Sequence, residues 1–467
     1  MKATNVTEAK IKLQVFKGDE PMKNDQGATD LGNLVMTLTV EEGIDLAAIS
    51  AELVLQDSAG VLDRLSGAEE WYIEIEARDS RNGYYFTAYN IESRSRNNQS
   101  EGYIVQLVSR EFIINEAKAL FGSSEVIFKQ GKKAHEIVES ILRGNATGGQ
   151  MTGKNLHVEE TQNDLNFVCT TWRPFDTIYF CCNRSIRKSS AGSKSQNGFI
   201  FWENIMGYHM KSIDQIISDI NAQSEDEKTD IPGGKARLYT YSYSPKKTNS
   251  STDTKSVDGF KVESITFPED RNYLMAMRNG SYSGFSTALD PSVFGNSKLS
   301  VENKNSEQPG SYDLEDFWGD MEHLDNGKCP IEEMPDRAKE LVKSKRRVRY
   351  AVLPNRLFDP KSAPAGGSAG ASPDTKNLDE LVFLESYRHL RAMSFKAVKL
   401  LVTVPGNMDL YSGYGVKIDI PETKAKGGKI NKNERYSGRY CIAALKHSYT
   451  DGNLFTEMLL YKDSLSK

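Results

Sequence analysis

The sequence predicts a mainly β protein of the α+β class. Two antiparallel β-barrel units open and close the chain, with a small α+β unit and a further irregular region between them. Three observations carry this. The first hundred residues alternate apolar and polar side chains with period two, the next hundred change to a helical period, and the last ninety return to period two. At 467 residues, the chain is also too long for one ordinary core.

In the first unit, Leu34, Met36, Leu38 and Val40 alternate with Val35, Thr37 and Thr39, and Ala51, Leu53 and Leu55 repeat the period. Trp71, Ile73 and Ile75 form a third strand. Asn82-Gly83 precedes the run Tyr84 to Tyr89 and predicts a two-residue hairpin turn. Tyr103 to Val108 adds another strand, and short strands at such spacing predict a barrel or sandwich. Helices are then predicted over Ser109 to Leu120, Lys132 to Leu142 and Leu165 to Arg187. The second has one apolar stripe of Ala134, Ile137, Val138, Ile141 and Leu142, and the third is expected to kink or split at Pro174. Gly198 to Glu203 and Tyr208 to Lys211 read as an aromatic hairpin.

Residues 244–259 and 359–374 are loops by composition. Between them lie an extended stretch Phe260 to Phe267, a helix Asp270 to Asn279 and a strand Tyr282 to Leu289. A helix near Leu381 to Ser394 precedes strands over Ala397 to Val404, Gly415 to Ile420, Arg439 to Tyr449 and Leu454 to Tyr461. Asp451-Gly452-Asn453 marks the hairpin between the last two. The expected division is a first β-barrel at 1–115, an α+β domain at 116–225 and a connecting segment at 226–257. A second barrel follows from 258–290 plus 380–467, with an inserted domain at 291–379.

Composition narrows the function. The apolar fraction is 38%, about 46% with the 36 glycines, which is globular rather than disordered. With 59 basic and 64 acidic residues the net charge is −5, whereas duplex binding through phosphates favours a basic protein. No run approaches the ~18–20 apolar residues of a membrane span, and Met1 to Lys12 lacks the apolar core of a signal peptide. Cys169, Cys181, Cys182, Cys329 and Cys441 form no CxxC pair and are expected to be reduced and structural.

The residues that carry chemistry elsewhere point to no reaction here. GxSxG, HExxH and GxxxxGK[ST] are absent. His135 and Glu139 share a helix face, a spacing a solvated polar face explains. Glu41-Glu42 and Glu332-Glu333 are acidic neighbours, which 64 acidic residues produce by chance. Lys343, Lys345, Arg346, Arg347 and Arg349 form a basic run. Read as a strand, it is either a phosphate-binding stripe or a charged face paired with the acidic tract 313–340 or with an acidic neighbouring subunit. Asn5-Val6-Thr7 and Asn145-Ala146-Thr147 match a glycosylation pattern that nothing in the sequence supports. Phe199, Phe201, Trp202 and Tyr208 are expected to fill a core, the alternative being a platform for sugars. The expectation is therefore no catalytic, cofactor-binding or metal-binding residue, and no enzyme.

Gly198-Phe-Ile-Phe-Trp-Glu-Asn-Ile-Met-Gly-Tyr-His-Met-Lys-Ser-Ile-Asp214, preceded by Trp172-Arg-Pro-Phe-Asp-Thr-Ile-Tyr179, resembles the central baseplate hub of contractile phage tails, the T4-like hub family. Met36 to Val40 with Glu52 to Ser58, Tyr273 to Tyr282, and Pro405 to Ile420 with Tyr436 to Tyr440 and His447 extend the resemblance over nearly the whole chain. It implies that the two β-units are tail-tube-like barrels. It also implies a homotrimer whose pseudo-sixfold ring adapts a hexameric tail tube, or tube-initiator protein, above to a trimeric central spike below, with wedge proteins at the periphery. DNA would pass through the lumen without specific binding, and no membrane is entered. The expected location is the virion tail baseplate, assembled in the host cytoplasm. A hub of a related secretion system or bacteriocin fits the same resemblance. A cell-wall-degrading tail enzyme and a host-carbohydrate receptor are the readings from other classes.

Overall fold

The computed structural model describes residues 6–23, 27, 29–58, 60–77, 80–96, 100–120, 127–128, 132–144, 151–165, 167–188, 196–232, 234–243, 259–268, 272–289, 311–344, 348–352, 375–423 and 431–465. The chain is mainly β with a minority of helices, as its alternating patterns predict.

The first β-unit comprises β1 (Ala9–Lys17), β2 (Glu20–Pro21), β3 (Val35–Gly43), β4 (Ser50–Asp57), β5 (Glu70–Ala77), β6 (Ser80–Arg96) and β7 (Glu101–Ser109). They pair in the order β3-β4-β7-β6-β5-β1-β2, all antiparallel. Their inward residues, among them Leu13, Leu38, Leu53, Trp71, Ile73, Phe86, Tyr103 and Leu107, form one buried core. Each fully buried aliphatic or aromatic side chain contributes ~1.5–3 kcal/mol. The turn expected at Asn82-Gly83 is not there, because both residues lie inside β6, opposite Ile75 and Glu74. The glycine serves another purpose: a Cβ on Gly83 would stand 2.5 Å from the Tyr72 hydroxyl, so its bareness lets the tyrosine ring lie across the strand.

The α+β unit contains α1 (Arg110–Ala117), α2 (Ala134–Arg143), α3 (Pro174–Cys182), the aromatic hairpin β8 (Phe199–Asn204) and β9 (Gly207–Ser212), and α4 (Ile213–Ala222). The predicted stripe of α2 is buried throughout, and the helix stops at Gly144, whose φ of 94° only glycine adopts freely. The long third helix does not form. Phe167–Val168 is a short strand, and α3 begins at Pro174, where the missing N–H costs no helical bond. Ser212 caps α4 by accepting the Gln215 N–H (3.1 Å).

The closing β-unit comprises β10 (Tyr239–Ser242), β11 (Ser264–Thr266), β12 (Val398–Pro405), β13 (Gly415–Asp419), β14 (Gly438–Thr450) and β15 (Asn453–Lys462), with α5 (Thr375–Ser394) between β11 and β12. Asp451 and Gly452, with φ of 49° and 81°, make the predicted hairpin turn. Two assignments change. Tyr239–Ser242, expected in a connecting segment, pairs parallel with β13. Ser283–Leu289, expected in the second β-unit, pairs instead with Ser311–Asp313 and Val348–Val352 in a separate three-stranded sheet. The loop predictions at 244–258 and 359–374 lie outside the described residues.

The two β-units are not separate bodies. Strand β14 pairs with β3, His447 opposite Val40 and Ser448 opposite Thr39, so a single 13-stranded sheet runs from β11 to β2. The second core, with Tyr241, Leu400, Val402, Ile418, Tyr440, Leu445, Met458 and Leu460, lies on the same side of this sheet as the first.

Candidate functional site

Strands with one buried face leave the alternate face outward, and the β3–β14 seam makes those faces continuous. One row crosses it as Gln106, Glu52, Thr39, Ser448 and Phe455, and the next as Ser50, Glu41, Lys446, Glu457, Thr403 and Ser264. Lys446 Nζ pairs with Glu41 Oε1 at 3.3 Å, and Ser264 Oγ donates to Thr403 Oγ1 at 2.9 Å. Gln106 Nε2 donates to Glu52 Oε2 (3.1 Å) and Glu92 Oε1 (3.2 Å). Hydroxyls, amides and carboxylates dominate these rows, and Lys446, the cation in them, is paired. Such a face offers little to hold a polyanion.

Two buried polar centres lock the units together. In the first, Arg391 of α5 is fully buried between Asp214 of α4 (Nε–Oδ1 3.0 Å) and Asp463 after β15 (Nη1–Oδ2 3.2 Å). Its Nη2 donates to Glu322 O (2.6 Å), and Tyr387 Oη donates to Asp214 Oδ2 (2.8 Å). His323 Nδ1 lies 2.8 Å from Asp463 Oδ2, and its ring stacks on Trp318 at 3.7 Å. Burial alone would raise the Asp463 carboxyl, but the His323 hydrogen bond and the Arg391 charge hold it below its usual range.

The second centre is the joint where the aromatic hairpin meets β3 and the loop 407–414. Trp202 Nε1–H and Asn204 Nδ2–H both donate to Ser412 O, at 3.2 and 2.9 Å. The Ser412 N–H donates to Glu42 Oε1 (2.6 Å). Burial pushes the Glu42 carboxyl up to about 8 despite that bond. Gly413, at φ 81°, packs so tightly that a Cβ would stand 2.4 Å from the Trp202 indole. On the first-unit side, buried Glu203 accepts from Lys154 Nζ (2.5 Å) and the Ile49 N–H (3.1 Å), and Lys154 also pairs with Glu111 (2.8 Å).

The residues singled out in the sequence are not brought together. His135 Nδ1 accepts the Thr161 N–H (3.0 Å) at the start of α2, while Glu139 is exposed. Glu41 and Glu42 point to opposite faces of β3, and Glu333 pairs with Arg435 whereas Glu332 Oε1 accepts the Cys329 N–H (3.2 Å). The basic run is not one strand. Lys343 follows the helix Asp336–Val342 and pairs with Glu315 of the acidic tract (2.7 Å), residues 345–347 lie outside the described residues, and Val348–Val352 is a strand. The carbohydrate-platform reading is overturned, since Phe199, Phe201, Trp202 and Tyr208 are all buried. All five cysteines are free and buried. Asn5 and Asn145 to Thr147 also fall outside the described residues. Among the described residues no three His, Cys, Asp or Glu side chains cluster to hold a metal ion, and no helix is long and apolar enough to cross a membrane.

Both centres escaped sequence reading. Arg391 lies far along the chain from Asp214 and Asp463, and His157 and His209, which stack at 4.7 Å, are 52 positions apart (209 − 157). The available signal was the run of polar residues Glu203, Asn204, His209 and Lys211 inside an otherwise apolar hairpin, since buried polar groups need partners.

No family model matches the sequence, and no curated protein matches it. Solved structures do. The 43 kDa tail protein of prophage MuSo2 from Shewanella oneidensis superimposes with a TM-score of 0.51 at 8% identity, over 98% of this chain and 100% of that one. The tail protein from Neisseria meningitidis MC58 gives 0.49 at 10% identity, over 98% and 97%. An E. coli type VI secretion system component, described as similar in structure to T4 tail proteins gp27 and gp5, gives 0.40 at 9%, over 97% and 76%. The chain thus has a fold found in phage tail proteins.

Proposed function

We propose that this protein is the central baseplate hub of a contractile phage tail, a non-enzymatic homotrimer that joins a hexameric tube to a trimeric spike. The observation that carries the reading is the single sheet spanning two β-units, with its outward rows continuous across the β3–β14 seam. Three such chains supply six β-units to one ring, which is the adaptation a sixfold-to-threefold junction requires. The full-length fold likeness to a tail protein supports it, as do the resembling segments 172–179 and 198–214. In that ring the outward rows through Thr39, Ser448, Glu52 and Glu457 face the conduit, and DNA slides past hydroxyls and carboxylates that do not neutralise its phosphates. Tube or tube-initiator protein, spike and peripheral wedge proteins are the partners, held by large interfaces rather than a ligand pocket.

Native mass spectrometry of the purified chain, alone and with its spike, tests the assembly. A trimer is expected, and a strict monomer in both samples sinks the proposal. Peptidoglycan zymography tests the non-enzymatic reading, with no clearing expected and lysis overturning it.

A further inference from the structure

The hairpin joint contains a three-ring stack that no assembly role explains. Trp202 and His209 stack at 4.8 Å, and His157, from the strand Leu156–Val158, stacks on the other face of His209 at 4.7 Å. The neighbours fix the protons on both imidazoles. Asn204 donates through Nδ2 to Ser412 O, so its Oδ1 is the acceptor of the Met206 N–H (2.9 Å) and of His209 Nε2 (2.8 Å). His157 Nε2 faces the carbonyl of Met206 at 3.2 Å and must also donate. Each neutral ring therefore keeps Nδ1 as its unprotonated nitrogen, and His209 Nδ1 is buried with no hydrogen-bond partner among the described residues.

A proton arriving at His209 Nδ1 meets a closed site. Lys211, on the same strand as His209, already holds a buried cation against Asp219 (2.6 Å) and also donates to Pro232 O. The other surrounding groups are spoken for. From β3, Glu42 accepts from Ser412. From β8, Glu203 is held by Lys154, which Glu111 of α1 shares. Glu159 pairs with Arg187 (2.8 Å), and Tyr414 of the loop presents its ring edge to His209 at 6.1 Å. Burial and the nearby Lys211 charge both oppose protonation of the two histidines. His157, only half-buried, is the ring the proton reaches first.

We propose that the His157–His209 pair is a proton-operated latch. Protonation opens the hairpin tip Asn204–Gly207 away from the 407–414 loop, loosening the α+β unit while the 13-stranded sheet stays folded. The sign follows from linkage. Both rings are neutral in the closed joint, so the open joint binds more protons below the ordinary histidine value. Opening is then favoured as pH falls through about 6.5, by up to about tenfold per pH unit for each histidine.

Amide hydrogen exchange on the full chain at pH 7.5 and 5.5, corrected for intrinsic rates, reads the latch directly. Glu42 in the same joint titrates in the opposite sense over this window, so the latch is read against the histidine variants. For amides of 199–212 and 407–414, the ratio of opening at pH 5.5 to that at pH 7.5 is expected to be at least roughly tenfold larger in the native chain than in them, with β3, β4 and β7 alike in all. His157→Gln and His209→Gln, which keep a donor but cannot take the proton, supply that reference, because Glu42 contributes equally in every chain. If His209→Gln does not fold, His157→Gln alone decides. An opening ratio in the variants equal to that of the native chain, or equal loss of protection across the whole sheet, overturns the proposal.

Discussion

The two buried polar centres are built on opposite terms. At Arg391 one guanidinium sits between two carboxylates, with a carbonyl, a tyrosine hydroxyl and a histidine converging where α4, α5, the 318–324 turn and the end of β15 meet. At the hairpin joint three groups are pushed towards neutrality instead, beside the Lys154–Glu203 and Lys211–Asp219 pairs. Burial raises the Glu42 carboxyl to about 8 and holds His157 and His209 below their usual range. A matched charge is expensive to break and indifferent to modest pH change, whereas a group forced neutral makes its contact conditional on pH. The first centre fixes the helical layer to the sheet, and the second lets one hairpin respond.

That contrast gives four expectations, in decreasing size. Arg391→Met strands Asp214 and Asp463 as buried anions and should cost about 3–5 kcal/mol in denaturant unfolding. A loss under about 1 kcal/mol would mean that water or rearrangement already serves those carboxylates. Gly413→Ala puts a methyl group into the Trp202 indole at a left-handed backbone position. It should cost about 2 kcal/mol, with altered near-UV dichroism from Trp202, and a silent variant contradicts the tight packing of the joint.

Glu42→Gln tests the conditional centre from the alkaline side. The folded-state value of Glu42 is raised to about 8, so its neutral form stabilises the fold below the ordinary 4.5, and that contribution is lost as pH rises through about 8. Over this window the folded state binds the extra proton, so wild-type stability falls with pH, by up to ~1.4 kcal/mol per unit. Glutamine removes the slope. Parallel pH–stability curves for variant and wild type would exclude this role. The smallest effect belongs to the exposed pair Glu41–Lys446, where Glu41→Ala should change stability by no more than ~0.5 kcal/mol. A larger loss would show the outward face to be structural.

Local pattern made much of the fold legible. The alternation of β3, β4 and β15, the stripe of α2 and the Asp451-Gly452 turn all depend on neighbours in sequence, and all are found where the sequence puts them. What was hidden depends on distant neighbours. Asn82-Gly83 has the composition of a turn, yet Tyr72 on the next strand needs the glycine, so cross-strand packing overrides it. Pro174 was read as a break within a helix, but Phe167–Val168 pairs in a strand and leaves the proline as the helix start. The pairing of β3 with β14 has no local trace, because strand register across a seam is set by which faces are buried together. The site was less legible than the fold for the same reason. Glu42, Asn204, His209 and Ser412 belong to three segments that meet only after folding.

The seam also imposes an order of events on synthesis. Strand β3 leaves the ribosome early, but its partner β14 follows about four hundred residues later. Until then, one side of β3 presents open backbone donors and acceptors, the kind of edge that recruits strands from other nascent chains. Closure of so large a loop is slow, so the half-made sheet has a long window in which to aggregate or meet a chaperone. The hairpin β14–β15 closes that edge from within the same chain, which makes its arrival the step that converts a sticky intermediate into a closed sheet.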